Sequence, residues 1–269
     1  MQNRLLSTSC VVLACLAAPV NADTVIKFTS SQPGMLDQMA IKDGKVLINA
    51  PQSQGRMVMD TTAQKMVMFN DKEQKYIEMD EKYMEQTAKV MDQMRQQMMA
   101  QLQSMPAEQR AQIEKQMGLA NPEAKPPEVT IKPTGQKKTV SGIECQVSDV
   151  YTDGAKTMEA CMATPQAAKM NADDYATLKR MQEFSKKMMQ KSSAMGGAPG
   201  AMKDMFPSLD GLPMELKDLQ NNFTMTISSV ETAALDAKNF AAGSGYQKFD
   251  PLQQMQQMQQ QRPPAAPAR

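Results

Sequence analysis

An α+β fold, in which methionine-rich helices interrupt an antiparallel sheet of short strands, is predicted for this 269-residue chain by three observations. Between residues 24 and 79, short alternating segments are punctuated by Pro33-Gly34, Asp43-Gly44, Gln54-Gly55 and Asn70-Asp71, the pattern of a strand meander. From Asp80 the period lengthens, and Met84, Met91, Met98 and Met105 recur every seven residues, as on one face of a helix. Cys145 and Cys161 then bracket a segment that is β-rich on both sides of Asp153-Gly154, a strong short-range hairpin signal.

The first 22 residues read as a secretory leader. Arg4 supplies a positive start, residues 5–18 an apolar stretch too short to span a bilayer, and Val20-Asn21-Ala22 a small-residue cleavage site before Asp23. The mature chain is therefore expected to begin at Asp23 and to work in the periplasm. A lipobox reading of Val12-Leu13-Ala14-Cys15 would instead leave Cys15 acylated and the protein anchored to the outer membrane. Leu13 suits that position poorly and the apolar run continues past Cys15, so cleavage after Ala22 is the better account. Removing the leader removes Cys10 and Cys15. Cys145 and Cys161 then form the one possible pair, in a compartment where disulfides persist. A three-residue loop at 152–154 would set these two cysteines directly opposite each other.

Strands are expected at 24–30, 45–49, 56–60, 65–69 and 74–79. A helix of about 25 residues follows from Asp80 to near Ser104, with Ala88, Met94 and Leu102 filling its stripe. Pro106 suits the first turn of a shorter helix carrying Ile113 and Met117. Residues 122–133 are Pro-rich and read as an extended linker. Asn171 can cap a further helix with Asp174 three positions on, its apolar stripe being Leu178, Met181, Phe184 and Met188. That helix should stop before Gly196-Gly197, within a Ser/Gly/Ala/Met loop over 192–206, and strands should resume at 214–219 and 222–230. The organisation predicted is a leader at 1–22 and one domain at 23–250, with helical insertions at 80–121 and 166–206. A Gln/Met/Pro tail at 251–269 is too poor in apolar residues to order itself.

Several short motifs occur in a familiar succession. They are Met57-Val58-Met59-Asp60, Met66-Val67-Met68-Phe69, Lys75-Tyr76-Ile77-Glu78-Met79, Gly142-Ile143-Glu144-Cys145, Gly211-Leu212-Pro213 and Phe240 followed by Gly245-Tyr246. Together they resemble the DUF4412 family of exported bacterial proteins, related in fold to the LolA/LolB periplasmic lipoprotein carriers, over 24–165 and 207–250. The resemblance implies a curved antiparallel half-barrel with helices lying in its concave side, a shape that in the carriers shelters an acyl chain. The segments 80–121 and 166–206 depart from that pattern in being long and loaded with methionine. Gly243-Ser244 stands where the family has a Pro before the final Gly-Tyr.

Charge and side-chain chemistry narrow the function classes. The chain has 30 Lys+Arg against 29 Asp+Glu, and loss of Arg4 with the leader leaves it neutral, so no global field recruits nucleic acid or an anionic membrane. No apolar stretch after the leader is long enough for a spanning helix, so an integral membrane protein is not expected. The chain has no His, no Gly-rich phosphate loop and no Gly-x-Ser-x-Gly elbow, and its cysteines are committed if the bridge forms. Glu78, Asp80 and Glu81 sit so near a helix start that serving its dipole explains them. A non-enzymatic protein with no cofactor is expected.

Methionine, at 28 residues and without a single Trp in the chain, is the remaining signal. A two-residue turn at Thr62-Ala63 would set Met57 opposite Met68 and Met59 opposite Met66, four thioethers on one face of one hairpin. Such a set suits Cu(I), although adaptable core filling accounts for it more simply. The first functional expectation is a concave groove lined by Met57, Met59, Met66, Met68, Met84, Met91, Met98, Leu178, Met181 and Met188, admitting a lipid or lipoprotein acyl chain or an apolar protein segment. The second is sacrificial oxidation at Met99, Met189, Met195, Met202, Met205, Met255 and Met258, reversed by a methionine sulfoxide reductase. The Cu(I) site at Met57, Met59, Met66 and Met68 is the third.

Overall fold

The computed structural model describes residues 23–32, 34, 36–50, 55–103, 105, 106, 109, 128–194 and 211–260. The elements are β1 (Asp23–Ser30), β2 (Gln38–Lys42), β3 (Lys45–Ala50), β4 (Gly55–Asp60), β5 (Lys65–Asn70) and β6 (Lys75–Met79), then α1 (Glu81–Gln103). There follow β7 (Val129–Val140), β8 (Ile143–Thr152), β9 (Ala155–Ala163) and α2 (Ala172–Ala194). The chain then runs through β10 (Leu212–Asp218), β11 (Phe223–Ala233), a 3₁₀ turn (Ala237–Phe240), β12 (Gln247–Lys248) and α3 (Pro251–Gln260). The strands make one sheet in the order β12-β6-β5-β4-β3-β2-β1-β11-β10-β9-β8-β7. Neighbours are antiparallel except for β12 beside β6, and among the described residues the two edge strands do not pair, so the sheet is not closed into a barrel.

The alternation of strand side chains divides the apolar residues between two faces. Ile26, Phe28, Met39, Ile41, Val46, Met59, Met214, Met225 and Ile227 point to one face and pack with Leu178, Met181 and Phe184 of α2. Val25, Ala40, Leu47, Val58, Val67 and Phe69 point to the other, where the C-terminal segment lays Leu235, Phe240 and Tyr246 across them. Consecutive residues such as Val25 and Ile26, or Val58 and Met59, thus belong to different clusters. A Cβ on Gly55 would lie 1.8 Å from the carbonyl oxygen of Phe69, so the start of β4 can approach β5 only as glycine.

Helix starts follow their polar caps. Asp80 Oδ1 accepts from the amide of Tyr83 at 2.8 Å to open α1, and Asn171 Oδ1 accepts from the amide of Asp174 at 2.8 Å to open α2. Asp80 thus serves the helix start as expected, whereas Glu78 of the same acidic group is paired with Lys65 and Lys248 instead. Residues 122–127 of the expected linker lie outside the described residues, and from Val129 the chain is strand rather than linker. Pro133 is tolerated because β7 is an edge strand, and the register shifts between Pro133 and Lys137 around Gly135. The tail also needs correcting over its first ten residues. Asp250 caps α3, its Oδ1 accepting from the amide of Leu252 at 3.0 Å, and the side chain of Leu252 is buried. The leader, the helix after Pro106 apart from Gln109, the loop at 195–206 and residues 261–269 lie outside the described residues.

Cys145 and Cys161 are bonded, with Cα atoms 5.4 Å apart, inside the larger core cluster. The hairpin differs from expectation in register. Its turn has two residues, Asp153 and Gly154, both with positive φ, and a bulge between Val150 and Tyr151 sets Cys161 opposite Val147. The bridge therefore runs diagonally between β8 and β9.

Candidate functional site

The site grows from the face of the sheet that α2 covers. Two cross-strand rows run from β2 to β6: Met39, Ile48, Met57, Met68 and Ile77 in one, and Ile41, Val46, Met59, Met66 and Met79 in the other. The pairing of Met57 with Met68 and Met59 with Met66 is as the sequence predicts, although the connection spans Thr61 to Gln64 rather than two residues. Asp60 Oδ1 holds that turn by accepting from the amides of Thr62 and Ala63 at 3.1 and 2.8 Å. Ile77 and Met79 complete the rows and were not singled out by sequence, because a single strand edge carries no mark of what lies beside it.

Cover is uneven along the rows. Ile41 and Val46 are fully buried and Met59 is 5% exposed, with Ser185 Oγ of α2 at 4.0 Å from its sulfur. Met57, Met66 and Met79 are half-buried, and Met68 is 46% exposed. The other expected groove residues divide similarly. Leu178 and Met181 are buried under α2, and Met188 is half-buried against the same core. On α1, Met84 is buried and Met98 half-buried, but Met91 is 42% exposed, so the seven-residue stripe is not one continuous packing face. Of the oxidation candidates, Met99 is exposed and Met255 half-buried. Met195, Met202 and Met205, and the side chains of Met189 and Met258, lie outside the described residues.

Polar contacts fasten the N-terminal half of α2. Thr24 Oγ1 donates to Asp174 Oδ2 at 2.5 Å, and Asn171 Nδ2 donates to the same oxygen at 2.8 Å. Burial pushes the Asp174 carboxyl up from its ordinary value. Arg180 Nε donates to Thr61 Oγ1 at 3.2 Å, and the hydroxyl of Tyr175 accepts from the amide of Gly211 at 3.0 Å. Beneath the helix, between Met39, Leu178, Met181 and Ile227, lies an apolar hollow of about 30 Å³, room for little more than one water.

A second hollow, of about 260 Å³, opens at the far edge between Glu78, Asp80, Tyr83, Lys248 and Asp250. Its central carboxylate is committed: Lys248 and Lys65 both donate to Glu78 and hold it below its ordinary value, against the opposing effect of burial. Burial raises the Tyr83 hydroxyl. Among the described residues no three His, Cys, Asp or Glu side chains are placed to hold a metal, and no helix is long and apolar enough to cross a membrane.

Comparison with protein families matches residues 108–246, just over half of the chain, to the domain of unknown function DUF4412. The chain belongs to the DUF4412 family. The DUF4412 match takes in β7 to β11, the disulfide, α2 and the C-terminal segment as far as Tyr246, and leaves the methionine rows of β4 to β6 outside it. No curated protein matches this DUF4412 chain.

Proposed function

We propose that the protein is a periplasmic, non-enzymatic binding protein whose sheet is a LolA/LolB-like half-barrel, and that the face beneath α2 shelters an acyl chain or an apolar protein segment. One observation carries the reading. The two apolar rows continue past the cover of α2, from fully buried Ile41 to 46%-exposed Met68, so the face is larger than the helix that fills it. Curvature is supported by Ser141, in the turn between β7 and β8, whose hydroxyl donates to the carbonyl of Ile227 on β11 at 2.7 Å although β10 and β9 lie between β11 and β8 in the sheet order. Export is supported by the leader and by the disulfide. Since 30 Å³ falls an order of magnitude below a ligand pocket of ~300 Å³, the ligand enters by displacing α2 rather than by filling a void.

The experiment is intact mass spectrometry, native and then denaturing, on protein purified from the periplasm. Extra mass that matches a fatty acid or phospholipid and vanishes on denaturation is the expected result. Bare protein under native conditions sinks the carrier reading. A second reading rests on the exposure of Met91, Met94 and Met99 along α1, at 42%, 39% and 36%. These thioethers can take up oxidant and be restored by a methionine sulfoxide reductase. Here mild hypochlorite should add 16 Da steps to α1 peptides while the protein stays folded, and unfolding in step with the first additions counts against it.

A further inference from the structure

We infer that the sheet methionines at the end of the rows where cover thins bind Cu(I), with Met57, Met66, Met68 and Met79 as the thioether donors. Registers place Met57 opposite Met68 and Met66 opposite Met79, and Met66 and Met68 are two apart on β5, so all four share one face of three adjacent strands. Directly paired positions have Cβ atoms about 5 Å apart, and each methionine has three rotatable side-chain bonds, so the sulfurs can lean toward an ion over Met66 and Met68, with Met57 and Met79 reaching in from the far corners, about 12 Å apart. Met59 is excluded from the set, being buried beneath α2 with Ser185 against its sulfur. Met79 takes its place.

The donor chemistry selects the metal. The chain has no His, and Cys145 and Cys161 are bonded to each other. No cluster of hard donors competes among the described residues. Thioethers alone favour soft monovalent copper over Cu(II), zinc or calcium. Exposure argues against plain core filling at Met68, which at 46% leaves a path for the ion, while its half-buried neighbours Met57, Met66 and Met79, of which Met66 also packs on the main core, limit the access of water.

The test is an anaerobic titration in which the full mature chain competes with a chromogenic Cu(I) chelator. One Cu(I) per chain is expected, with only sulfur in the copper first shell by X-ray absorption. The pair Met66→Leu with Met79→Leu, which conserves volume, should weaken binding by about tenfold or more. Met68→Leu, at the exposed position, should act in the same direction without touching the core. The triple change Met91→Leu, Met94→Leu, Met99→Leu on α1 should leave binding unchanged. Failure of the wild type to withdraw copper from the chelator, nitrogen or oxygen in the first shell, or an equal loss in the α1 variant overturns the assignment.

Discussion

Arg56 is the residue whose replacement tests the architecture most sharply. Its guanidinium lies 4.2 Å from the ring centre of Phe69 and 5.5 Å from that of Tyr246. Nε donates to the carbonyl of Asn239 at 3.2 Å and Nη2 to that of Ala241 at 3.0 Å, while Nη1 pairs with Asp71. Tyr246 closes the cluster by donating to Asp71 Oδ1 at 2.5 Å. Arg56→Lys keeps the charge but loses the planar fork. The pair with Asp71, which is 41% exposed, survives with a lysine and is in any case worth under about 1 kcal/mol. The two bonds to backbone carbonyls are lost, at about 1 kcal/mol each, and with them the ring stacking, at about 0.5–1 kcal/mol. The expected loss is therefore about 2–3 kcal/mol of stability, read as a lowered urea midpoint with an unchanged slope. Hydrogen exchange should rise first in residues 236–249. A variant within about 0.5 kcal/mol of wild type, or exchange rising evenly over the sheet, refutes the view that one side chain clasps the C-terminal segment to its face.

Other perturbations separate the remaining contributions. Replacing Cys145 and Cys161 together by Ala opens a loop with a sequence separation of 16 and should cost about 3 kcal/mol in chain entropy; a urea midpoint insensitive to reductant would contradict this. Two carboxylates should give pH dependences of opposite sign. The folded Asp174 carboxyl is raised, so its stabilisation is complete below the ordinary value of 3.8 and is lost as pH rises through the folded value. Asp174→Asn should therefore gain on wild type as pH increases. Glu78 is lowered by Lys248 and Lys65, so its stabilisation is present above 4.5 and lost as pH falls through the folded value, and Glu78→Gln should lose ground as pH increases. Urea midpoints across pH 3 to 7 read both slopes, and slopes of the same sign contradict the assignment. Arg180→Met frees α2 from Thr61, and if α2 is displaced by ligand then each 1.4 kcal/mol by which the seated state is weakened should raise apparent affinity about tenfold, up to the point where the open state predominates. Unchanged or reduced lipid occupancy in native spectra would show that α2 does not compete with the ligand.

What could be read from sequence was whatever depends on near neighbours. The register of the β4–β5 hairpin follows from period-two alternation about one turn, so the facing of Met57 with Met68 was legible. The disulfide was legible from the expected leader and the cysteine count, but its diagonal placement was not, since the bulge at Val150 and Tyr151 has no sequence mark that distinguishes it from a longer loop. Pro133 concealed β7, because an edge strand accepts a residue that a central strand would reject. Asp250-Pro251 is a good helix start, hidden in plain composition by the Gln-rich run behind it. The Arg56 cluster was out of reach altogether. Arg56 and Tyr246 are 190 residues apart, and no local pattern links them.

The two faces of the sheet are closed by different physics, and that difference bears on which can reopen. On the face carrying Val58 and Phe69, closure depends on a directional cluster in which Arg56 donates to the carbonyls of Asn239 and Ala241, to Asp71 and to the hydroxyl of Tyr246, so a small displacement of the C-terminal segment breaks several contacts together. On the opposite face, the N-terminal half of α2 is fastened by Asp174, Tyr175 and Arg180, whereas its later turns rest on Phe184, Met188 and the sulfur of Met59. Apolar contacts of that kind are non-directional, and methionine repacks at little cost. On the proposed function, an apolar ligand taking the place of Phe184 and Met188 would restore much of the same burial, so the free energy of opening would largely be returned on binding. Reopening should therefore start at the C-terminal half of α2, above Met59, and run along the rows toward Met68.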